Sequence, residues 1–284
     1  MVSALRLEPQ FPLPSPAQLH HIIAHELRDR FVVGLLDTDV QRAKKRAHIM
    51  SEETYGEVLQ SFVEWLVQTT AIGEGDVFLD VGSGVGQVLI MVAALSGADA
   101  LGIEIDVALA AHAVRNAALV KHALHAHHRS TGVVASVHGD ATHMPVPWPQ
   151  TAAALPSVAN KVFINNFVIP DALAKRIVLA LIVSARLAPG AQLVLMKPLL
   201  WGPHADDALF ANFALPVRIL QTPHNVVDWT HVRFYPVLYT LGGARAPPTP
   251  RDAQCERRLS DFRESWRAEY VRMIRSRPVN IGER

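Results

Sequence analysis

The chain has a single cysteine, Cys255, in 284 residues. One thiol closes no internal disulfide, and a reducing compartment fits. It also has almost no charge surplus: 27 Lys and Arg stand against 26 Asp and Glu, a formal net charge of +1. The whole chain is no polycation, so any nucleic-acid affinity must come from local patches. Long apolar runs are missing too. The longest apolar stretch, around Val88–Ile105, is broken by Gly97, Asp99 and Gly102. It falls short of the roughly 20 apolar residues of a membrane span. Met1–Pro16 is proline-rich and lacks a basic start followed by an apolar core, so no signal peptide is expected. There is no internal repeat. What is present in quantity is apolar surface: half of the residues, enough for one large domain plus appendages.

The chain is organised around Asp76–Asp106. Val77, Phe78, Leu79 and Val81 predict one buried parallel strand. Gly82, Gly84 and Gly86 follow at once, and glycines there let the backbone turn sharply and approach a ligand closely. Val88–Leu95 predicts a helix packed on a sheet. Leu101–Ile105 predicts a second strand with Glu104 at its carboxyl end, the edge where open α/β sheets bind ligands. A dinucleotide fold would want G-x-G-x-x-G. Here the spacing is G-x-G-x-G, and Asp80 stands just before it. A carboxylate there would repel a pyrophosphate. It suits a ligand with an amino group and a sulfonium, which describes S-adenosylmethionine. Glu104 would accept both ribose hydroxyls. The bland alternative is a structural glycine turn.

Before this unit, Ala17–Phe31 has helical spacing, and Arg42, Lys44, Lys45 and Arg46 form a basic cluster. That cluster is a solvated turn, a phosphate contact or a nuclear import signal. Ser51–Thr70 predicts a helix, with Thr54 and Glu57 spaced as a capping box and Tyr55 at the helix mouth. After the unit, Asp106–His128 predicts a helix whose end is crowded by His122, His125, His127 and His128. With no Cys or acid beside them in sequence, a solvated helix end is expected rather than a metal site. Val133–Val137 predicts a third strand, followed by Asp140, a simple turn residue or an acceptor for an adenine amino group. Lys161–Asn165, a helix over Asp171–Leu187 ended by Pro189-Gly190, and Gln192–Met196 continue the alternation. Val217–Gln221 and Arg233–Leu241 would close it. The pattern predicts a doubly wound α/β sheet with a terminal hairpin. Beyond Pro247, Pro248 and Pro250, Leu259, Phe262, Trp266, Tyr270 and Met273 space out one helical face among arginines. That segment is a helix packed on the core or a basic arm.

Several motifs agree on one family. Thr54-Tyr55-Gly56-Glu57, Phe78–Val88 (FLDVGSGVGQV), Gly102-Ile103-Glu104, Gly139-Asp140, Asn165-Asn166-Phe167 and Asp228-Trp229-Thr230 together span most of Ser51–Leu241. In these the chain resembles the disruptor-of-telomeric-silencing family, histone lysine methyltransferases that lack a SET domain. The resemblance implies the seven-stranded class I methyltransferase sheet behind a small N-terminal helical region. It implies an extension over 1–50, a catalytic domain over 51–245, and a linker with an arginine-rich helix over 246–284. It implies S-adenosylmethionine as methyl donor, S-adenosylhomocysteine as product, and a lysine in the globular core of histone H3 as acceptor.

Carried over by position, Tyr55 covers the methionine part of the cofactor. Asp80, Gly82 and Gln87 hold its amino-acid end, with Gly84 and Gly86 also in the cofactor site, Glu104 holds the ribose, and Asp140 the adenine amino group. Asn165 stands beside the sulfonium and the entering lysine, and Trp229 walls the lysine channel. The partner implied is the nucleosome, with Arg42, Lys44, Lys45, Arg46 and the C-terminal arginines against DNA phosphate or acidic protein. A nuclear location follows. Three residues depart from the family pattern. Ala141 replaces a Phe beside the adenine position, which implies less complete stacking. Ile169 replaces an aromatic. A Tyr after the Asp-Trp-Thr run is out of step, with Pro236 in its place and Tyr235 or Tyr239 nearby. Two other readings stand beside this one: a methyltransferase of the same fold acting on another molecule, and a non-catalytic chromatin-binding module.

Overall fold

In a computed structural model, residues 11–27, 58–143, 158–166, 169–184, 187–197, 199, 214–223 and 236–241 are described. Tyr55, Trp229, the basic cluster at 42–46, the capping box and everything past 241 lie outside them.

The described residues build one seven-stranded sheet, in the order β3-β2-β1-β4-β5-β7-β6. Its strands are β1 (Val77–Val81), β2 (Asp99–Glu104), β3 (Val134–His138), β4 (Ala159–Ile164), β5 (Leu187–Leu195), β6 (Ala214–Ile219) and β7 (Val237–Leu241). The first five are parallel. β7 runs antiparallel to both β5 and β6. Strand order reverses at β1, which has β2 on one side and β4 on the other. This is the seven-stranded class I methyltransferase architecture. Its crevice lies beyond the carboxyl ends of β1 and β4.

Side-chain alternation sorts the sheet into two cores. Val77, Leu79 and Val81 face one way, with Leu101, Ile103 and helix α5 (Asp171–Val183). Phe78, Ala100 and Phe163 face the other way. That second face is covered by α1 (Pro16–His21, continued by a π-turn over Ile22–Glu26), α2 (Gln60–Thr70) and α3 (Gln87–Ser96), with α4 (Val107–Ala126) alongside. α3 is apolar nearly all round because it is buried between sheet and helices. Phe62 of α2 meets Phe163 of β4 with ring centroids 5.2 Å apart.

Three elements differ from the sequence pattern. α2 begins at Gln60, with Leu59 extended and Val58 in a bridge, so the helix is shorter at its start than Ser51–Thr70. The helix expected over Asp171–Leu187 stops at Val183, and Leu187 already belongs to β5. Pro189 and Gly190 do not precede that strand. They sit within it, where the β4–β5 register shifts between Ala159 and Lys161 and Gly190 has φ +75°. The histidines at the end of α4, His122, His125, His127 and His128, are exposed, as a solvated helix end would be. His127 pairs with Glu26 at 2.7 Å, and Phe11 packs edge-on to His125 and His128. An acid does accompany these histidines, from 101 residues away. Among the described residues, no group of three or more metal-ligating side chains is placed to hold an ion. No described helix is long and apolar enough to cross a membrane.

Candidate functional site

The carboxyl ends of β1 to β4 bring together Asp80, Gly82, Gly84, Gly86, Gln87, Glu104, Asp140, Ala141 and Asn165. Asp80 is opposite Gly102 in the β1–β2 register, so alternation puts Asp80 and Glu104 on one face of the sheet, the α3 side. Both are almost wholly buried, at 3% and 6% exposure. Two acids in one desolvated place oppose each other's ionisation. Burial, then repulsion from Glu104, pushes the Asp80 carboxyl from an ordinary 3.8 up to about 8. No hydrogen bond from the described residues reaches the Asp80 carboxylate to offset that cost.

Glu104 is treated differently. Its Oε2 accepts the Gly84 N–H at 2.7 Å and its Oε1 accepts the Asp106 N–H at 2.9 Å. Burial raises its pKa, and these backbone donors draw it part of the way back. The carboxylate thus ties the glycine turn to the start of α4 and keeps lone pairs for a further donor.

The turn itself is stitched by backbone bonds. Gly82 and Ser83 N–H both donate to Ile103 O, at 2.8 and 3.2 Å, and Gly86 N–H donates to Ser83 O at 2.9 Å. The glycines are not equivalent. Gly86, at φ +81°, is held against α4: a Cβ there would lie 2.8 Å from Ala113 Cβ. Gly82, at φ +78°, is exposed, and a Cβ there would meet nothing within 4 Å. So Gly86 serves packing and Gly82 borders open space beside Asp80. Gln87 is the first residue of α3, behind Gly86 as its N-cap.

Asp140 lies after β3, whose end is fastened to β2 by Gly139 N–H donating to Glu104 O at 2.8 Å. Its Oδ1 accepts both the Thr142 N–H and the Thr142 hydroxyl at 2.8 Å, and His143 Nδ1 lies 2.7 Å from its Oδ2. Partial burial would raise this carboxyl, but Thr142 and His143 outweigh it and hold the group below its ordinary value. Ala141 is buried in the core shared with α5. Ile169 packs on that same core.

Asn165 and Asn166 follow β4. The Asn165 Oδ1 is buried with no hydrogen-bond partner among the described residues. Tyr239, a candidate for the displaced tyrosine, is wholly buried in the α5-side core. Its hydroxyl accepts the Leu199 N–H at 3.3 Å, and burial pushes its phenol well above the ordinary range. It therefore secures the segment after β5; Tyr235, the other candidate, lies outside the described residues.

Sequence reasoning passed over one supporting residue. Asn116, fully buried on α4, donates its Nδ2 to Val85 O at 3.1 Å and braces the glycine turn from outside. A lone amide three residues after Ala113 and four before Val120, on the apolar stripe of that helix, was the available signal.

The family model described as Histone methylation protein DOT1 matches residues 37–241. A segment of 59 residues, 21% of this chain, is 42% identical to the Mycosarcoma maydis protein named "Histone-lysine N-methyltransferase, H3 lysine-79 specific". A longer segment of 193 residues, 65% of this chain, is 28% identical to the Caenorhabditis elegans protein of the same name. These matches span 7% and 20% of those relatives' own lengths. Among solved structures, an RNA methyltransferase from Salinibacter ruber in complex with S-adenosyl-L-homocysteine superimposes with a TM-score of 0.45. It is 20% identical, over 69% of this chain and 99% of that one.

Proposed function

This chain belongs to the DOT1 family of histone methylation proteins, and from that premise we propose that it transfers methyl from S-adenosylmethionine to a lysine of histone H3 on the nucleosome. The observation that carries the cofactor assignment is Asp80: a buried carboxyl, with no hydrogen bond from the described residues, beside the open space at Gly82. A cationic amino group is the ligand that such a group lacks. Glu104, with acceptor capacity left over, would take the ribose hydroxyls, and Asp140 the adenine amino group.

When bound, S-adenosylmethionine supplies a methyl group activated by a sulfonium. The acceptor lysine must be neutral to attack it. At pH 7 only about one lysine in 2,500 is neutral, a cost of about 4.6 kcal/mol. Desolvation beside a cation lowers that pKa and removes part of the cost. The proton can leave to water before transfer, so the chain's main task is to align nitrogen, carbon and sulfur. Asn165 orients rather than abstracts, because an amide is too weak a base. Asn165→Ala should lose about 100-fold in kcat while cofactor affinity changes less than threefold. Raising the pH should not restore the rate. Recovery at high pH would assign Asn165 a part in deprotonation.

The nucleosome is the partner in this reading, and a nuclear, chromatin-associated location follows from it. DNA phosphate attracts Arg42, Lys44, Lys45, Arg46 and the C-terminal arginines. The division into an extension over 1–50, a catalytic domain over 51–245 and an arginine-rich tail belongs to the same proposal. Reversing the four charges at 42–46 should weaken nucleosome binding and flatten its dependence on salt, with S-adenosylmethionine affinity unchanged. An unaltered salt slope removes the cluster from the interface.

The function is tested by transfer of radiolabelled methyl to reconstituted nucleosomes, to free histones and to no substrate, with Asp80→Ala as control. Label on H3 in nucleosomes, lost in the control, is the expected result. Cofactor binding without label on any histone would keep the methyltransferase and discard the histone. No cofactor binding at all would favour a non-catalytic chromatin-binding module.

A further inference from the structure

Asn166 is a fully buried polar side chain to which the reaction described above gives no part. Its Nδ2 donates to Lys197 O at 2.9 Å, and its Oδ1 accepts the Lys197 N–H at 3.0 Å. One side chain thus pairs with both backbone groups of one residue, as a neighbouring strand would. β4 and β5 pair up to Ile164 and Leu195. The Asn166 amide adds a rung beyond that end and joins the chain after β4 to the chain after β5. Asn166 N–H also donates back to Ile164 O at 2.9 Å, which fixes the backbone across Asn165 itself.

Next to this restraint stands an unsatisfied group. The Asn165 Oδ1 is buried and accepts nothing from the described residues. A buried carbonyl oxygen without a donor is costly, and a mobile segment would relax until it found one. It persists where the surroundings over-determine it. The Asn166 amide, satisfied on both sides and wholly enclosed, is that restraint.

We propose that Asn166 is a positioning residue for methyl transfer. By clasping Lys197 it holds Asn165 with its oxygen unpaired and available to a donor on the entering amine. This inference rests on the methyltransferase reading above. It makes the second asparagine, not the length of β4, the feature that sets the reacting geometry.

The test compares Asn166→Ala, Asn166→Asp and Tyr239→Phe with the wild-type chain, measuring kcat on nucleosomes, S-adenosylhomocysteine affinity and Tm. Tyr239→Phe loosens the chain after β5 at Leu199 without touching Asn165. It controls for a purely structural loss. Asn166→Ala should lower kcat by at least 30-fold with S-adenosylhomocysteine affinity within threefold, and Tyr239→Phe should keep kcat within threefold. Asn166→Asp adds a signature that survives poor folding of the alanine variant. A neutral carboxyl reproduces the donor and acceptor of the amide, and burial keeps it neutral at moderate pH. Its kcat should approach wild type at low pH and fall away as the carboxyl ionises, opposite to the lysine's own demand for high pH. Asn166→Ala with kcat within threefold of wild type, or Asn166→Asp that follows the wild-type pH profile throughout, overturns the proposal. Absence of transfer by the wild-type chain on every protein substrate overturns the methyltransferase reading, and the positioning role with it.

Discussion

Replacing Asp80 by Asn should stabilise the empty protein and cost it its cofactor. Folded, the Asp80 carboxyl holds its proton up to about pH 8, against an ordinary value of 3.8. The unfolded chain gives that proton up above about pH 4. Between those limits the folded state binds more protons, so stability falls as pH rises from about 4 to about 8 and levels off above. An amide is nearly isosteric with the neutral carboxyl and carries no such penalty. Asp80→Asn should therefore raise Tm at pH 8 by about 2–4 °C for each kcal/mol recovered, with at least about 1 kcal/mol expected. The same change removes a charge-assisted bond to the ligand's amino group, about 1.5–3 kcal/mol, or roughly 10- to 150-fold in affinity. Thermal melts and titrations on the two proteins read both. If Tm falls, or affinity is kept, Asp80 is a structural carboxyl and not the cation's partner.

The second large effect separates two glycines of one turn. Gly86→Ala is opposed twice: by its φ of +81° and by Ala113 Cβ at 2.8 Å on a helix that cannot give way alone. Left-handed strain of about 1–2 kcal/mol and overpacking of about 1–3 kcal/mol sum to roughly 2–5 kcal/mol. That lowers Tm by roughly 5–15 °C. Gly82→Ala meets only the strain of its φ of +78°, since nothing stands within 4 Å of its added Cβ. It should cost about 1–2 kcal/mol of stability yet weaken cofactor binding more than Gly86→Ala does at a temperature where both are folded. Equal losses of affinity would mean that the open space at Gly82 is not where the ligand lies.

This division between packing and ligand could not be seen in the letters GSGVG. Glycine spacing and the acid before it were legible because a strand, a tight turn and a helix must follow each other locally. Which glycine touches α4 depends on Ala113, 27 positions further on, and on Asn116 holding Val85 O. Long-range pairing hid the rest too. The helix-breaking signal at Pro189-Gly190 was real, but it acts as an irregularity inside β5, because β4 pairs on either side of it. The histidines at the end of α4 are solvated as their sequence suggested, but Glu26 and Phe11, which reach them from the other end of the chain, could not be seen locally. Tyr239, one of two tyrosines near the out-of-step position, is buried among Leu193, Leu195 and Val237, a placement no local pattern showed. The Asn165-Asn166 pair was read as one motif, although the two amides differ: one oxygen is unpaired and the other amide is fully engaged.

The measurement that tests the central claim most directly is calorimetric titration of S-adenosylmethionine into the wild-type protein at pH 7, in two buffers of different ionisation enthalpy. The difference between the heats counts protons exchanged on binding. If the ligand's amino group seats on Asp80, the carboxyl must release its proton. Close to one proton should leave, and affinity should rise up to tenfold per pH unit from pH 6 towards 8. Binding with no proton release and no pH dependence would contradict the account, and so would the absence of binding.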